Sequence, residues 1–533
     1  MSQNRYLYTA LLAAILIGTA FLRFYDLGHR TMHGDEANQA MKTGVLLEEG
    51  TYAYDPFEHH GPTLYYFSLP ILWLNGVETV QEITEPMLRV LPALFGLALV
   101  LLSWLLVAPI SRHAGLWAAG FAAISHGLTY YSRYYVQEIS FVFFAAAIVW
   151  CGYHYLRTRK VGWALGSGVA LGLLHATKET SLLVVIAMVA ALACALAWEK
   201  LVARRSMSLA LNWKHLAGTF AAAVLVSVVL FTSFFTHWRG ALDSILTYST
   251  YLGRAEGHGS SALHEQPWYY YLSLLAWTYR SAGPKWSEGL ILGMAMLGAV
   301  WCFWRPLARN DHSNQSDPKK HDTALLQRFL VFYTLFLVVG FSIIPYKTPW
   351  NLLIFLHPLC LLAGLGAQRL VGASRRMPVR AILVALILVG SVQLTQQTWH
   401  GIFRYSADVR NPYVYAHTST AIRRLTQRVA DIAAVHPHGD KVHINVFRFD
   451  GDYWPLPWYF RAYPNVGYWP NIPESPDADI IITSPEVAPK LQPLLSGEYQ
   501  IEMNGLRPGV LMPTFIKKEL WEAFMAKRST PTN

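Results

Sequence analysis

The chain has 533 residues, 53% of them hydrophobic and only 14% charged, with a formal net charge of +10. A soluble domain carries about 25% charged residues, so this composition excludes an ordinary soluble protein. The charge deficit lies in apolar runs of roughly 17–22 residues, the length that crosses a hydrocarbon core, and the chain reads as a polytopic α-helical membrane protein.

In chain order, about eleven spans are predicted, at 7–22, 88–110, 114–129, 138–156, 162–176, 180–198, 216–236, 287–304, 329–344, 351–368 and 381–396. The flank of the first, Phe21-Leu22-Arg23-Phe24-Tyr25, lacks a small-residue cleavage site, so it is expected to stay as a helix. Residues 64–74 are apolar but too short to cross, which predicts an interfacial or re-entrant helix. The four cysteines all fall within spans and read as small apolar residues. With the N-terminus cytoplasmic, the inner segments 1–6, 111–113, 157–161, 199–215, 305–328 and 369–380 hold 18 cations against four acids. The positive-inside bias thus accounts for the whole basic excess, and no nucleic-acid partner is needed to explain it. The expected location is a plasma (inner) membrane, with the polar stretches below on the extracytoplasmic side.

Three stretches stand on that outer side. In 23–87, Asp35 is placed to N-cap a helix running from Glu36 to Glu49, closed by Gly50, with one apolar stripe suited to the bilayer surface. The second stretch, 237–286, holds a Gly257–Ser261 run expected to be mobile, the aromatic run Pro267-Trp268-Tyr269-Tyr270-Tyr271, and the histidines His258 and His264. The third, 397–533, turns to a mixed pattern: a helix over 418–435 and strands over 442–449 and 479–483. Residues 1–396 therefore read as the transmembrane domain and 397–533 as a small extracytoplasmic α/β domain. The inner loop 305–328 reads as a flexible connector.

Charge inside the spans is nearly absent, whereas the outer loops gather it. Asp35 and Glu36 open the first polar stretch; a carboxylate at a helix N-terminus stays ionised and can accept a proton from a hydroxyl. Adjacent helical residues point about 100° apart, so only one of the two can face a reacting atom, and Asp35 is the candidate base. The cluster Asp55–Pro62, with Glu58, His59 and His60, reads as a turn; joined to His33 and Asp35 it gives a divalent-metal site as the alternative, although its spacing matches no tight metal motif. Three short outer loops carry Arg133 with Glu138, Lys178, and Lys347. Cations on this face run against the positive-inside bias, and three at loop mouths suit a phosphate clamp.

At these residues the chain resembles the GT-C membrane glycosyltransferases, which include protein O-mannosyltransferases and aminoarabinose transferases. The shared pattern is an acidic pair after span one, an Arg followed by an acid, a Lys after span five and a basic residue before a late Pro-containing span. Asp35-Glu36, Ser132-Arg133 through Glu138, Lys178 and Lys347 occupy those places. A closer resemblance is to the flippase-activity-associated proteins, through His-Gly-Asp-Glu-Ala, Tyr-Lys-Thr-Pro-Trp and Leu506 to Val510. The superfamily resemblance implies inverting transfer of a sugar from a polyprenyl-phosphate donor, on the extracytoplasmic face, to a lipid, polysaccharide or protein acceptor. It further implies Asp35 as base, Glu36 beside it, and Arg133, Lys178 and Lys347 against the leaving lipid phosphate. His33, His59, His60, Glu138, His258 and His264 are the expected supporting, acceptor or metal residues. No cofactor is otherwise expected. The rival expectation is a lipid-linked saccharide flippase or its accessory, whose ionisable groups would lie near the midplane.

Overall fold

The computed structural model describes residues 2–57, 60–203, 211–255, 264–280, 282–304 and 318–529. Among these, each expected span corresponds to helix: α1 (Ser2–Phe24), α4 (Glu85–Val107), α5 (Arg112–Ile124) with α6 (His126–Tyr131), α7 (Glu138–Thr158), α8 (Val161–His175), α9 (Ser181–Leu201), α10 (Trp213–Phe231), α13 (Gly289–Trp304), α14 (Pro318–Ile343), α15 (Leu353–Gly372) and α16 (Met377–Trp399). Between them lie α2 (Gly34–Glu49), α3 (Thr63–Leu74), α11 (Arg239–Ala255), α12 (Tyr270–Ala276) and a short hairpin, β1 (Thr278–Tyr279) with β2 (Lys285–Trp286). Among the described residues eight helices are long and apolar enough to cross a membrane, and α8 and α13 are shorter apolar helices. The expected mobile run 257–261 and the first part, 305–317, of the expected connector 305–328 lie outside the described residues; the remainder, 318–328, is instead the first part of helix α14.

Helix α15 is the centre of the bundle. Every residue from Leu353 to Ala367 is buried, as a helix apolar on all sides requires. It packs on α5, α13 and α14, while α1, α10 and α16 leave most of their surface facing outward. Helix α3, with 12 residues, is about 18 Å long and cannot cross.

Four expectations need correction. Span 114–129 is broken at Ser125, whose extended backbone ends α5 and starts α6. Several of the freed groups are satisfied from far along the chain: Glu288 accepts from Ser125 Oγ (2.9 Å) and from the Gly127 N–H (2.7 Å), while Arg23 donates to the carbonyls of Ala122 and Ala123. Charge within the predicted spans is also present, because Arg89, Glu138 and Glu288 fall just inside their ends. Helix α2 is capped by His33 rather than Asp35, and Glu36 completes the capping box; Gly50, at φ 72°, ends it. Its buried stripe packs on protein, with Gly44 against Val80, and not on the bilayer.

The C-terminal part contains α17 (Ile422–Ala433), β3 (Ile444–Phe447), α18 (Leu456–Tyr459), β4 (Val466–Trp469), β5 (Ile480–Thr483), a short helix α19 (Ala488–Leu491), β6 (Tyr499–Arg507), β7 (Val510–Lys517) and α20 (Lys518–Ser529). The strands form one sheet in the order β4-β3-β5-β7-β6; β4, β3 and β5 run parallel, and the β6–β7 hairpin is antiparallel. This small α/β unit sits on the loop after α1. The Met32 N–H donates to Tyr459 Oη (3.0 Å), the Thr31 hydroxyl donates to the Thr418 carbonyl (2.9 Å), and Arg461 donates to the carbonyls of Val80 and Ile83.

The turn before α3 is equally constrained. A Cβ at Gly61 would stand 2.2 Å from the Ala176 carbonyl oxygen, the same oxygen that receives the Thr63 N–H and hydroxyl. Gly61→Ala is therefore expected to force these strands of chain apart and to cost about 1–3 kcal/mol. A fall in the unfolding midpoint of the detergent-solubilised protein would measure it, and an unchanged midpoint would contradict the packing described.

Candidate active site

The acidic pair is divided by burial. Glu36 is fully buried, and its carboxylate receives Arg30 Nη2 (2.8 Å), Arg89 Nε (2.9 Å) and Nη2 (3.0 Å), the His33 N–H (3.0 Å) and the Tyr135 N–H (2.8 Å). Burial alone would raise the pKa of this carboxyl; the charges of Arg30 and Arg89 and the donated hydrogen bonds hold it well below the usual carboxylate range. Arg89 also donates to the carbonyls of Leu27, Arg30 and Thr31, so the loop after α1 is wound around one ion cluster.

Asp35 points the other way, with its side chain 54% exposed. Its N–H donates to His33 Nδ1 (3.0 Å), and the opposite ring nitrogen, Nε2, donates to the Tyr415 carbonyl (3.0 Å). Both ring nitrogens of His33 are thereby committed, which fixes a neutral tautomer and leaves none for a metal. Above Asp35 lie Tyr415 and His264, joined Oη to Nδ1 at 2.6 Å, and His264 stacks on Tyr346 at 4.6 Å between ring centres. Burial lowers the His264 pKa and the nearby Asp35 carboxylate opposes that shift.

The three cations are held in three different ways. The buried Arg133 guanidinium donates to the carbonyls of Leu22, Arg23, Tyr25 and Asp26, the free end of α1. Lys178 donates to Glu138 Oε1 (2.9 Å) and Asn351 Oδ1 (2.8 Å). Lys347 donates to the carbonyls of Gln266 (2.9 Å) and Ile344 (2.5 Å), with no carboxylate partner among the described residues, and burial lowers its pKa. The backbone N–H of Lys347 also reaches the His264 carbonyl, so Lys347 and the Asp35 surroundings share one strip of chain.

His60 is paired with Glu179 at 2.8 Å, and Tyr54 Oη also reaches that carboxylate (3.3 Å). His59 and His258 lie outside the described residues. Among the described residues no group of three or more His, Cys, Asp or Glu could hold a metal ion. With His33, His60 and His264 each engaged by its neighbours, these side chains do not fit a metal ligand set.

Residues 61–239 match the family described as dolichyl-phosphate-mannose-protein mannosyltransferase. No curated protein sequence matches the chain. Among solved structures, ArnT from Cupriavidus metallidurans bound to undecaprenyl phosphate superposes with a TM-score of 0.58 at 14% identity, covering 95% of this chain and 97% of that one. The oligosaccharyltransferase AglB from Archaeoglobus fulgidus, in complex with an inhibitory peptide and a dolichol-phosphate, superposes with a TM-score of 0.55 at 12% identity, covering 91% of this chain and 70% of that one. The chain has the GT-C fold.

Within the candidate site, sequence reasoning missed Arg30, Arg89, Glu179, Asn351 and Tyr415. Arg89 carried a readable signal, since an arginine inside an apolar run must find a partner. Tyr415 carried none, because it arrives from a segment nearly 400 residues away and acts through its carbonyl and hydroxyl.

Glu36→Gln leaves Arg30 and Arg89 without their carboxylate and is expected to cost about 3–5 kcal/mol, read as loss of folded protein in detergent. Asp35→Asn removes only an exposed charge in the first turn of α2, and is expected to cost about 1 kcal/mol or less. Equal destabilisation by the two would overturn the division. A second expectation concerns pH. Burial lowers the His60 pKa, but Glu179 outweighs it and holds the imidazole above its ordinary 6.5; His60 and Lys178 in turn hold Glu179 below its ordinary 4.5 against burial. The stabilisation from His60 is complete below about pH 6.5 and is lost as pH rises through its raised value; that from Glu179 is complete above about pH 4.5 and is lost as pH falls through its lowered value. The stability gap between wild type and Glu179→Gln should therefore be larger at pH 5.5 than at pH 9, by thermal unfolding at both.

Proposed function

We propose that the protein is a membrane glycosyltransferase that moves a sugar from a polyprenyl-phosphate-linked donor to an acceptor hydroxyl, with inversion, at the membrane face that carries the C-terminal α/β unit. The observation that carries this reading is Asp35: of the acidic pair it alone is exposed, held at the start of α2 by a neutral His33. The family match over residues 61–239 and the fold shared with ArnT and AglB support it.

In this mechanism Asp35 accepts the proton of the acceptor hydroxyl as its oxygen bonds to the anomeric carbon. The bond from that carbon to the phosphate oxygen breaks, and its electron pair leaves with the polyprenyl phosphate. Lys347 and Lys178 each have three N–H donors, two of which are engaged within the protein. The third of each is the proposed donor to the phosphate charge that grows in the transition state. Lys347 contributes most, because its charge has no carboxylate partner among the described residues, whereas Glu138 neutralises Lys178. Arg133 acts at one remove: it fixes the end of α1, and through it the loop that leads to Asp35. The site face is the extracytoplasmic one in this proposal, as the distribution of basic residues supports.

Asp35→Asn should lower transfer by at least about a hundredfold while the unfolding midpoint stays near wild type. The assay is purified protein given radiolabelled polyprenyl-phosphate sugars and a panel of lipid, polysaccharide and peptide acceptors. Wild-type turnover in the variant would remove Asp35 as base. Movement of labelled donor across a vesicle bilayer without any glycosidic product would replace the transferase reading by transport.

A further inference from the structure

Beside the Glu36 cluster lies a small cavity of about 10 Å³, lined by Leu27, Arg30, Arg89, Tyr130, Arg133 and Ile402. That is room for about one water molecule or one ion of similar size. Half of the lining is arginine, and the protein itself fixes each of the three. Arg30 donates through Nη2 to Glu36 (2.8 Å) and to the Arg133 carbonyl (3.1 Å), and the Tyr134 ring covers its guanidinium at 3.3 Å. Arg89 commits Nε, Nη1 and Nη2 to Glu36 and to carbonyls of the loop after α1. Arg133 reaches four carbonyls through Nη1 and Nη2.

One donor at this cavity is orphaned. Arg30 is only 6% exposed, and among the described residues its buried Nε–H has no hydrogen-bond partner. A buried cation that leaves a donor unmade carries a desolvation cost that a bound acceptor would remove. The Tyr130 hydroxyl neighbours the Arg30 guanidinium but is already bonded to the Ser406 carbonyl (2.7 Å) and to Tyr134 (3.2 Å). Charge points the same way. Arg30 and Arg89 share the carboxylate of Glu36, with Glu85 3.5 Å from Arg89, while Arg133 is bonded to carbonyls. Burial and the charges of Arg30 and Arg89 lower the pKa of Arg133, opposed by Asp26, whose side chain is 46% exposed. Negative charge among the three guanidinium groups would relieve that repulsion.

We propose that this cavity holds one monatomic anion of chloride size, received by the Nε–H of Arg30 and faced by the charges of Arg89 and Arg133. A polyatomic anion such as phosphate needs more room than the cavity has. The site is therefore distinct from the one assigned to the lipid phosphate and does not rest on that assignment. Its anion would tie the loop after α1, the N-terminal end of α4 and the loop after α6 to one point, and so stiffen the path from Leu27 toward Asp35.

The test uses the full chain purified in a maltoside detergent. Its unfolding midpoint is followed as potassium gluconate is replaced by potassium chloride at constant ionic strength, so that screening stays fixed. Chloride should raise the midpoint along a one-site curve, by about 3 °C at a hundredfold excess over its dissociation constant, and bromide should do the same. Arg30→Lys keeps the charge toward Glu36 but removes the Nε donor, and should abolish the dependence. A second readout needs no variant: bromide is located by its anomalous scattering in crystals of the wild-type protein, with a peak expected within about 3.5 Å of Arg30 Nε. Equal midpoints in chloride and gluconate, or a cavity without a bromide peak, would overturn the proposal in favour of a bound water. A chloride shift retained in full by Arg30→Lys would overturn the assignment to this cavity.

Discussion

The carboxylate of Glu36 is the interaction on which the face of this protein depends. A carboxylate taken out of water is costly unless charge and hydrogen bonds replace the water completely. Here Arg30 and Arg89 supply the charge, and the backbone N–H groups of His33 and Tyr135 supply the remaining donors. Four pieces of chain therefore meet at one atom pair: the loop after α1, the start of α2, the N-terminal end of α4 and the loop after α6. Because Arg89 also grips three carbonyls of the first loop, the path from Leu27 to Glu36 has little freedom. Burying Glu36 in turn forces its neighbour outward, since consecutive residues in a helix diverge by about 100°. The exposure of Asp35 is thus a consequence of the burial of Glu36.

A second constraint is the irregular backbone where spans end or break. In a bilayer such groups must be satisfied inside the protein. Two arginines do this reciprocally: Arg23, at the end of α1, donates to the carbonyls that close α5, and Arg133, just after α6, donates to the carbonyls that close α1. Burial and the nearby charges of Arg30 and Arg89 lower the pKa of Arg133 to about 9, with only the Asp26 charge opposing them, while the carbonyl oxygens of α1 and Asp26 receive its N–H groups. Glu288 performs the matching task at the break, accepting from the Gly127 N–H and the Ser125 hydroxyl. The break between α5 and α6 turns the Tyr130–Arg133 segment inward, so that the aromatic rings of Tyr130 and Tyr134 cover Arg30.

Much of the bundle was legible in the sequence because apolar length is set by membrane thickness, and charge bias orders the loops. The re-entrant length of 64–74 followed from the same rule. The break at Ser125 did not, because its cause is Glu288, more than 160 residues away and unreadable from local hydropathy. In the C-terminal unit the buried strands β3 and β5 were recognisable as short apolar runs, whereas β6, with alternating and largely polar residues at a sheet edge, was not. For the site, the split between Asp35 and Glu36 came from helix geometry alone. What sequence could not reveal was the partner of each cation: an arginine closing a helix and an arginine waiting for a phosphate have the same letter and the same loop position.

That distinction decides how the electrostatics of the proposed reaction are apportioned. A cation stabilises a transition state only to the extent that its charge is not already cancelled and its position is fixed beforehand. Lys178 is fixed but largely cancelled by Glu138, and Arg133 is fixed on the far side of the loop by carbonyls of α1. Lys347 meets both conditions: two carbonyl oxygens hold the ammonium in place, and carbonyl dipoles orient a charge without cancelling it. Its backbone is bonded to His264, whose ring bonds to Tyr415, and Tyr415 holds the His33 that caps the helix of Asp35. The proposed base and the proposed phosphate cation are therefore linked through three residues, so the spacing between proton acceptance and charge stabilisation is set by packing of the loop over α2 rather than by either side chain alone.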